Sequence, residues 1–354
     1  MPFRFLTGGE SHGPALVAIV EGLPAGISFP FSFIEEELRL RRTNLGRSHR
    51  MTLEEDTVQI LSGIKKGKTL GFPITLLISN KDAKNLDTLP KLSAPRPGHA
   101  DLVGTLKFKH EDVRNSLERA SARETAIRTA VGALCQSFLK EFDIQFSSHV
   151  THIGPLALSS KTKTKIKKLI QKCEAQGETL GGIFEVRVHG LPVGLGSFSQ
   201  WDLRLDGRLA QAVMSLPAIK GVEFGLGFSG TSLLGSEAQD EIFYNKHQKK
   251  NFGYFRKTLF SGGLEAGVTT GQDLILRAAM KPLSTLTKHP LQTVNVFTKE
   301  KTKALIQRTD TCAVPAAAIV AKNVVAIELT RAFLEKFGGD SLEEVKKNYT
   351  HFLS

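Results

Sequence analysis

RNSLERASARETAIRTAVGALCQSFLKEF, residues 114–142, is the stretch around which the chain is organised. Ser121-Ala-Arg-Glu124 has the spacing of a capping box, in which a Ser hydroxyl and a Glu carboxylate satisfy each other's backbone N–H groups. After it, Ile127, Ala130, Val131, Leu134, Cys135, Phe138 and Leu139 fall at helical spacing on one face, so the pattern predicts a buried helix. A loop carrying Arg114 and Arg119 is expected to lead into the cap, and with Arg123 and Arg128 these arginines surround the N-terminus of the helix. Free backbone N–H groups, the positive end of the helix dipole and guanidinium groups together favour a phosphate. On these residues alone, an amphipathic helix with an incidental basic entry is an equal alternative.

Composition narrows the choice. With 354 residues and 41% hydrophobic content, burying a core is no obstacle, and the length suits one large unit or two smaller domains. No apolar run reaches the ~20 residues of a membrane helix. The N-terminal MPFRFLTGGESHG has no signal-peptide pattern, and Cys135, Cys173 and Cys312 are too few and too scattered for a disulfide frame. A reducing cytoplasm is therefore expected, with no membrane association. Net charge is +12, but the aromatic residues are not interleaved with the basic ones, so small anionic ligands are favoured over nucleic acid.

Three separated segments offer similar chemistry: Gly8-Gly-Glu-Ser-His-Gly13, Arg96-Pro-Gly-His-Ala-Asp101 and Arg308-Thr-Asp310. Glycines let a ligand approach the backbone closely, and prolines stiffen the loop that carries His99. Adding Arg41, Arg47 and Lys281 gives many fixed cations, two loop histidines and a loop carboxylate, which suits acid–base chemistry on a multiply anionic, phosphorylated substrate. Competing motifs are weak. Gly67-Lys68-Thr69 lacks the first glycine of a P-loop, and Gly225-x-Gly227-x-x-Gly230 is not followed by a helix on a parallel sheet. His149 and His152 share an extended segment without a third ligand, so no metal is expected. A helix is expected at 32–42 with Ser32 as its N-cap, an antiparallel strand pair within 51–80, a helix at 202–216, and a further apolar helix that residues 308–317 lead into and that reaches about 333. A faint echo, VAIVEGLPAGI at 17–27 against EVRVHGLPVGL at 185–195, hints at a duplicated strand–turn unit.

GESHG (9–13), RPGHAD (96–101), RASARETA (119–126), AGVTTG (266–271), KPLST (281–285) and RTDTC (308–312) occur in the order found in chorismate synthases, which the chain resembles over nearly its whole length. The resemblance implies an α+β fold, a β-α-β sandwich of central helices between two antiparallel sheets with internal pseudosymmetry. It implies a carbon–oxygen lyase that eliminates phosphate in anti-1,4 fashion from 5-enolpyruvylshikimate-3-phosphate to give chorismate. Reduced FMN is required without net redox change. It further implies a homotetramer supplied with reduced flavin by an external flavin reductase, with NADPH as a source of reductant.

Carried over by position, His12 resembles the acid that protonates the departing phosphate, and His99 the residue that protonates the reduced flavin. Ser11 and Asp310 resemble the pair assisting removal of the ring proton. Arg41, Arg47 and Arg123 match the region binding NADP or substrate anions. Flavin contacts map to Arg119, Ala120, Ser121, Pro217, Ala218, Ala266, Lys281, Pro282, Leu283, Ser284, Thr285 and Arg308. The chain departs from the family pattern at Thr309 and Thr311, where His and Pro are usual, at Pro217 in place of Asn, at Ala266 in place of Gly, and in the arginine-rich loop at 40–47.

Overall fold

The computed structural model describes residues 2–43, 46, 55–247 and 250–354. Among the described residues, two larger antiparallel sheets of four and five strands, four smaller sheets of two or three strands and a set of helices make a mixed fold. In the first sheet the order is β1 (Arg4–Gly8), β2 (Ala15–Glu21), β4 (Ile74–Ser79) and β3 (Val58–Ser62). The expected strand pair within 51–80 is thus β3 and β4. Leu16, Ala18 and Val20 of β2 are buried with Ile74, Leu76 and Ile78 of β4, the period-two pattern of a sheet covered on one face.

The second sheet repeats this plan. Its strands are β5 (Gln145–Ile153), the short β6 (Leu156–Ala157), β7 (Gly182–His189), β8 (Ile219–Phe224) and β9 (Leu274–Met280), in the order β8-β9-β7-β5-β6. The Gly-Leu-Pro-x-Gly echo follows the equivalent strands β2 and β7. A Cβ on Gly22 would lie 2.7 Å from Phe3 Cα, and one on Gly190 would lie 2.3 Å from the Asp143 carbonyl oxygen. Both residues have φ near +83°, so glycine is required at each by conformation and by space. The Pro24 and Pro192 carbonyls accept hydrogen bonds from Thr69 and Thr269, each at 2.7 Å. Those hydroxyls in turn accept from Ile27 N and Leu195 N.

The helices that matter for the site are α1 (Phe31–Arg42), α2 (Asp101–Phe108), α3 (Val113–Arg119), α4 (Thr125–Lys140), α5 (Lys163–Gln176), α6 (Leu205–Met214), α7 (Val314–Phe337) and α8 (Leu342–Leu353). Helix α4 packs on β2 and β4, α7 packs on β5 and β7, and α4 and α7 pack on each other, with α1 against both. This surrounds α4. Its predicted face is buried, but so are Thr129, Gly132, Ala133 and Gln136 around the cylinder. Gly132 lets the two long helices approach, since a Cβ there would sit 2.4 Å from the Asn323 carbonyl oxygen. Beside this crossing, Gln136 Nε2 donates to Asn323 Oδ1 at 2.7 Å, Asn323 Nδ2 to Glu37 Oε2 at 2.7 Å, and Lys322 Nζ to Glu37 Oε1 at 2.6 Å. These buried polar groups satisfy one another, as burial requires.

Several local expectations are corrected. The residues carrying Arg114 and Arg119 form helix α3 rather than a loop. Ser121 accepts from Arg123 N and caps a single 3-10 turn at Ala122–Glu124. The Glu124 carboxylate turns instead to Thr7 and Arg128. Helix α1 begins at Phe31 after Pro30, without a side-chain cap, so Ser32 is not its N-cap. Gly67 turns a short hairpin between Ile64–Lys65 and Lys68–Thr69, and Gly227–Ser232 is a 3-10 turn beside an antiparallel sheet. No helix among the described residues is long and apolar enough to cross a membrane.

Replacing Gly132 by Ala is expected to lower unfolding free energy by about 1–3 kcal/mol, because the added methyl meets backbone that cannot rotate away. Denaturant unfolding of the variant checks this, and unchanged stability would show that the helices part without cost.

Candidate active site

The N-terminal ends of α4 and α7 open onto one cavity of about 250 Å³. Thr125 lines it from α4, and Ala313, Ala316, Ala317 and Val320 from α7 and its approach. Both positive helix ends therefore border the same space. Among the described residues five cations line it, Arg41, Arg96, Arg123, Lys281 and Arg308, against one carboxylate, Asp310. Leu117, Leu216, Pro217, Ala218 and Leu283 make the apolar part of the wall.

Helix α1 delivers Arg41, whose Nη2 donates to the Ala122 carbonyl at 3.0 Å and whose Nε donates to Thr125 Oγ1 at 3.1 Å. Arg123 Nε donates to Asn80 Oδ1 at 2.9 Å. Behind both stands Asp56, fully buried, which pairs with Arg123 and Arg41, with Arg42 Nε 3.6 Å away. Among the described residues, this one carboxylate meets three guanidinium groups and holds their positions. Lys281 donates to the Gly98 carbonyl at 2.6 Å. Burial and, next, repulsion from Lys220 hold its pKa below the usual lysine value. Neither Lys281 nor Arg308 forms an ion pair with a carboxylate among the described residues.

The two histidines are built alike. His12, in the loop between β1 and β2, has Nδ1 2.8 Å from Glu118 Oε2, and its backbone N–H reaches the same oxygen at 3.1 Å. His99 has its Nδ1 on Asp101 Oδ1. Asp101 Oδ2 also accepts from Arg96 N at 3.0 Å and Arg96 Nε at 2.8 Å. Arg96 continues to Thr285 Oγ1 at 3.1 Å and Gln307 Oε1 at 3.3 Å. Burial alone would raise both carboxylates, but it is outweighed. Hydrogen bonds from His99 and Arg96 hold Asp101 well below the usual carboxylate range, and those from His12 and Ser11 lower Glu118. Ionised carboxylates accept only, so His12 donates from Nδ1 and keeps Nε2 for other partners, whereas His99 Nδ1 faces both the Asp101 carboxylate and, at 3.0 Å, the Arg96 Nη2 donor. For His12, the Asp82 carboxylate lies 3.6 Å from Nε2.

The cavity thus brings together Ser11, His12, His99 and Asp310, with Arg41, Arg123, Ala120, Ser121, Pro217, Ala218, Lys281, Leu283, Ser284, Thr285 and Arg308. Arg119, Pro282 and Ala266 stand outside its wall. Arg119 is exposed and donates to Thr7. Ala266, with φ +49°, turns the hairpin between Leu264–Glu265 and Val268–Thr270. Arg47 lies outside the described residues. Of the departures from the family pattern, Pro217 and Thr309 are in the wall, and Ala266 and Thr311 are not. Cys312 is buried behind Asp310, and burial pushes its thiol up to about 11, so no thiolate serves the site. Glu118, Asp56 and Gln307 were not singled out from sequence. Asp101 lay inside a quoted motif, but nothing in its spacing revealed that it holds the histidine two residues before it.

A cationic cavity with two carboxylate-held imidazoles is the site of an acid–base enzyme acting on anions. The family model for chorismate synthase matches residues 3–334. A chorismate synthase from Caldanaerobacter subterraneus subsp. tengcongensis is 49% identical over 353 residues, covering 99% of this chain and 98% of that protein. One from Thermoanaerobacter pseudethanolicus is 48% identical over 352 residues, with 99% and 98% coverage. A solved structure titled "Crystal Structure of Chorismate Synthase" aligns with a TM-score of 0.81 at 40% identity, covering 100% of this chain and 98% of that one. The chain belongs to the chorismate synthase family, and it is an enzyme of that class.

Replacing Asp101 by Asn strips Arg96 of a buried partner and is expected to cost about 3–5 kcal/mol at neutral pH. Because the folded carboxylate sits below its ordinary value of 3.8, its stabilisation is complete above that value and fades as pH falls through the lower folded one. Unfolding free energies of the two proteins should therefore converge in strong acid. A gap independent of pH would remove the charge from this account.

Proposed function

We propose that the enzyme eliminates phosphate in anti-1,4 fashion from 5-enolpyruvylshikimate-3-phosphate, giving chorismate, with reduced FMN required and no net redox change. The observation that carries this reading is the pairing of two carboxylate-held histidines with five cations around one cavity. Family membership supplies the substrate.

The wall fits a phosphorylated flavin in its chemistry. Lys281 and Arg308 offer positive charge, Ser121, Ser284 and Thr285 offer hydroxyls, and Leu216 with Pro217 and Ala218 gives an apolar surface for a ring. When bound, the reduced flavin would supply electron density to the breaking C–O bond. The protein does the rest. Arg41 and Arg123, fixed by Asp56, hold substrate anions, and Arg47 belongs to the same reading. His12 gives the proton at Nε2 to the leaving phosphate oxygen and ends as the neutral ring protonated at Nδ1. His99, held by Asp101, keeps a proton beside the flavin region, and Asp310 with Ser11 assists departure of the ring proton. Excluding water from this cavity strengthens each of these charge interactions.

The finer architecture belongs to the same reading: one domain over 1–354, a β-α-β sandwich with α4 and α7 between the sheets, and pseudosymmetry relating the halves. Its support is the shared strand order and the paired Gly-Leu-Pro-x-Gly turns. A cytoplasmic homotetramer that draws reduced flavin from an external reductase, with NADPH as the electron source, completes it on family resemblance.

Anaerobic incubation with reduced FMN should release phosphate without consuming the flavin. His12→Ala or His99→Ala should slow turnover by roughly 10²–10⁴-fold. Stoichiometric flavin oxidation would indicate an oxidoreductase instead, and wild-type rates in either variant would remove that histidine from its role.

A further inference from the structure

We propose that Glu118 is the positioning residue of His12. It locks the ring with its proton on Nδ1, so that Nε2 is the atom presented for proton transfer. The catalytic part of this inference rests on the proposed role of His12, and the structural part does not.

Glu118 stands in the last turn of helix α3, and its carboxylate is buried. Oε2 collects three donors from two consecutive residues: the Ser11 hydroxyl, the His12 backbone N–H and His12 Nδ1. Its main chain joins in, since Ser11 N donates to the Glu118 carbonyl at 3.1 Å. The loop between β1 and β2 is therefore tied to α3 at four points, and three of them meet on one oxygen. Among the described residues Oε1 accepts no hydrogen bond, and Arg114 Nη1 lies 3.8 Å from it.

Chemistry sets the direction of the Nδ1 contact. The bonds on Oε2 keep the carboxylate ionised against its burial, and an ionised carboxylate only accepts. Nδ1 must then carry hydrogen whether the ring is neutral or charged. When His12 is an imidazolium, Glu118 pairs with it across 2.8 Å in a buried setting. When the ring has given its Nε2 proton away, the product is the tautomer Glu118 already favours, so no reorientation follows transfer. The Ser11 hydroxyl, donating to the same oxygen, fixes the carboxylate against rotation. Ser11 thus acts on His12 through Glu118, which adds to the role that family resemblance suggests for it.

The test combines two variants with nitrogen-15 NMR of the histidine rings in ligand-free protein, and single-turnover kinetics in the loaded enzyme. In the wild type His12 should show a hydrogen-bearing Nδ1 with a strongly downfield proton. Glu118→Gln keeps the shape and removes the charge, and that proton should move upfield. Glu118→Leu removes the acceptor, and the ring should become a mixture of tautomers. Both variants should lose roughly 10–10³-fold in kcat with KM changed less than threefold, since positioning and charge act on proton transfer more than on binding. An unchanged Nδ1 signal in Glu118→Gln overturns the proposal, even if Glu118→Leu fails to fold. Should the NMR signals move as expected while phosphate release keeps its rate, the positioning role stands and His12 is removed as the donor.

Discussion

The structure depends on the crossing of two long helices at a glycine. Gly132 brings α4 against the main chain of α7 at Asn323, closer than any side chain would permit. That approach lets Gln136, Asn323, Glu37 and Lys322 close a buried polar set around the crossing. Because each helix also covers its own sheet, the crossing registers one half of the molecule on the other. Both helices then start at the same cavity, and their N-terminal ends add positive potential where the arginines already stand. The site is a consequence of how the two halves meet.

Repetition explains why the halves fit. The Gly-Leu-Pro-x-Gly turns, and the threonines that cap them, perform the same task at the edge of each sheet. The candidate site residues do not repeat. His12 lies in the loop between β1 and β2, His99 in the segment that leads into α2, and Asp310 in the approach of α7, so the residues that meet in the cavity come from three separate loops. This follows a general pattern in which rigid elements carry position and loops carry function.

Much of this was legible in the chain. The antiparallel strand pair within 51–80 and the apolar face of α4 could be read directly from residue spacing. The short motifs also marked His12, His99 and Asp310, because glycine- and proline-flanked histidines have few structural uses. Long-range partners were hidden. Glu118 sits in an ordinary helical sequence, and nothing local says that its carboxylate meets a loop more than a hundred residues earlier. Asp56 was similarly silent, since its three arginine neighbours come from other elements. The Ser121–Glu124 spacing misled for the same reason: tertiary partners, Thr7 and Arg128, outcompeted the local cap. Arg119 looked like a cavity residue by position in its motif, but the end of α3 carries it to Thr7 instead.

The central claim is that one cavity holds a phosphorylated ring between His12 and His99 on a floor of arginines. A crystal structure grown anaerobically with 5-enolpyruvylshikimate-3-phosphate and reduced FMN tests it most directly. The account predicts the substrate phosphate within hydrogen-bond reach of His12 Nε2, its carboxylates on Arg41 and Arg123, and the flavin ring against Pro217 and Ala218. Ligands seated elsewhere on the protein, or a substrate phosphate turned away from His12, would contradict it.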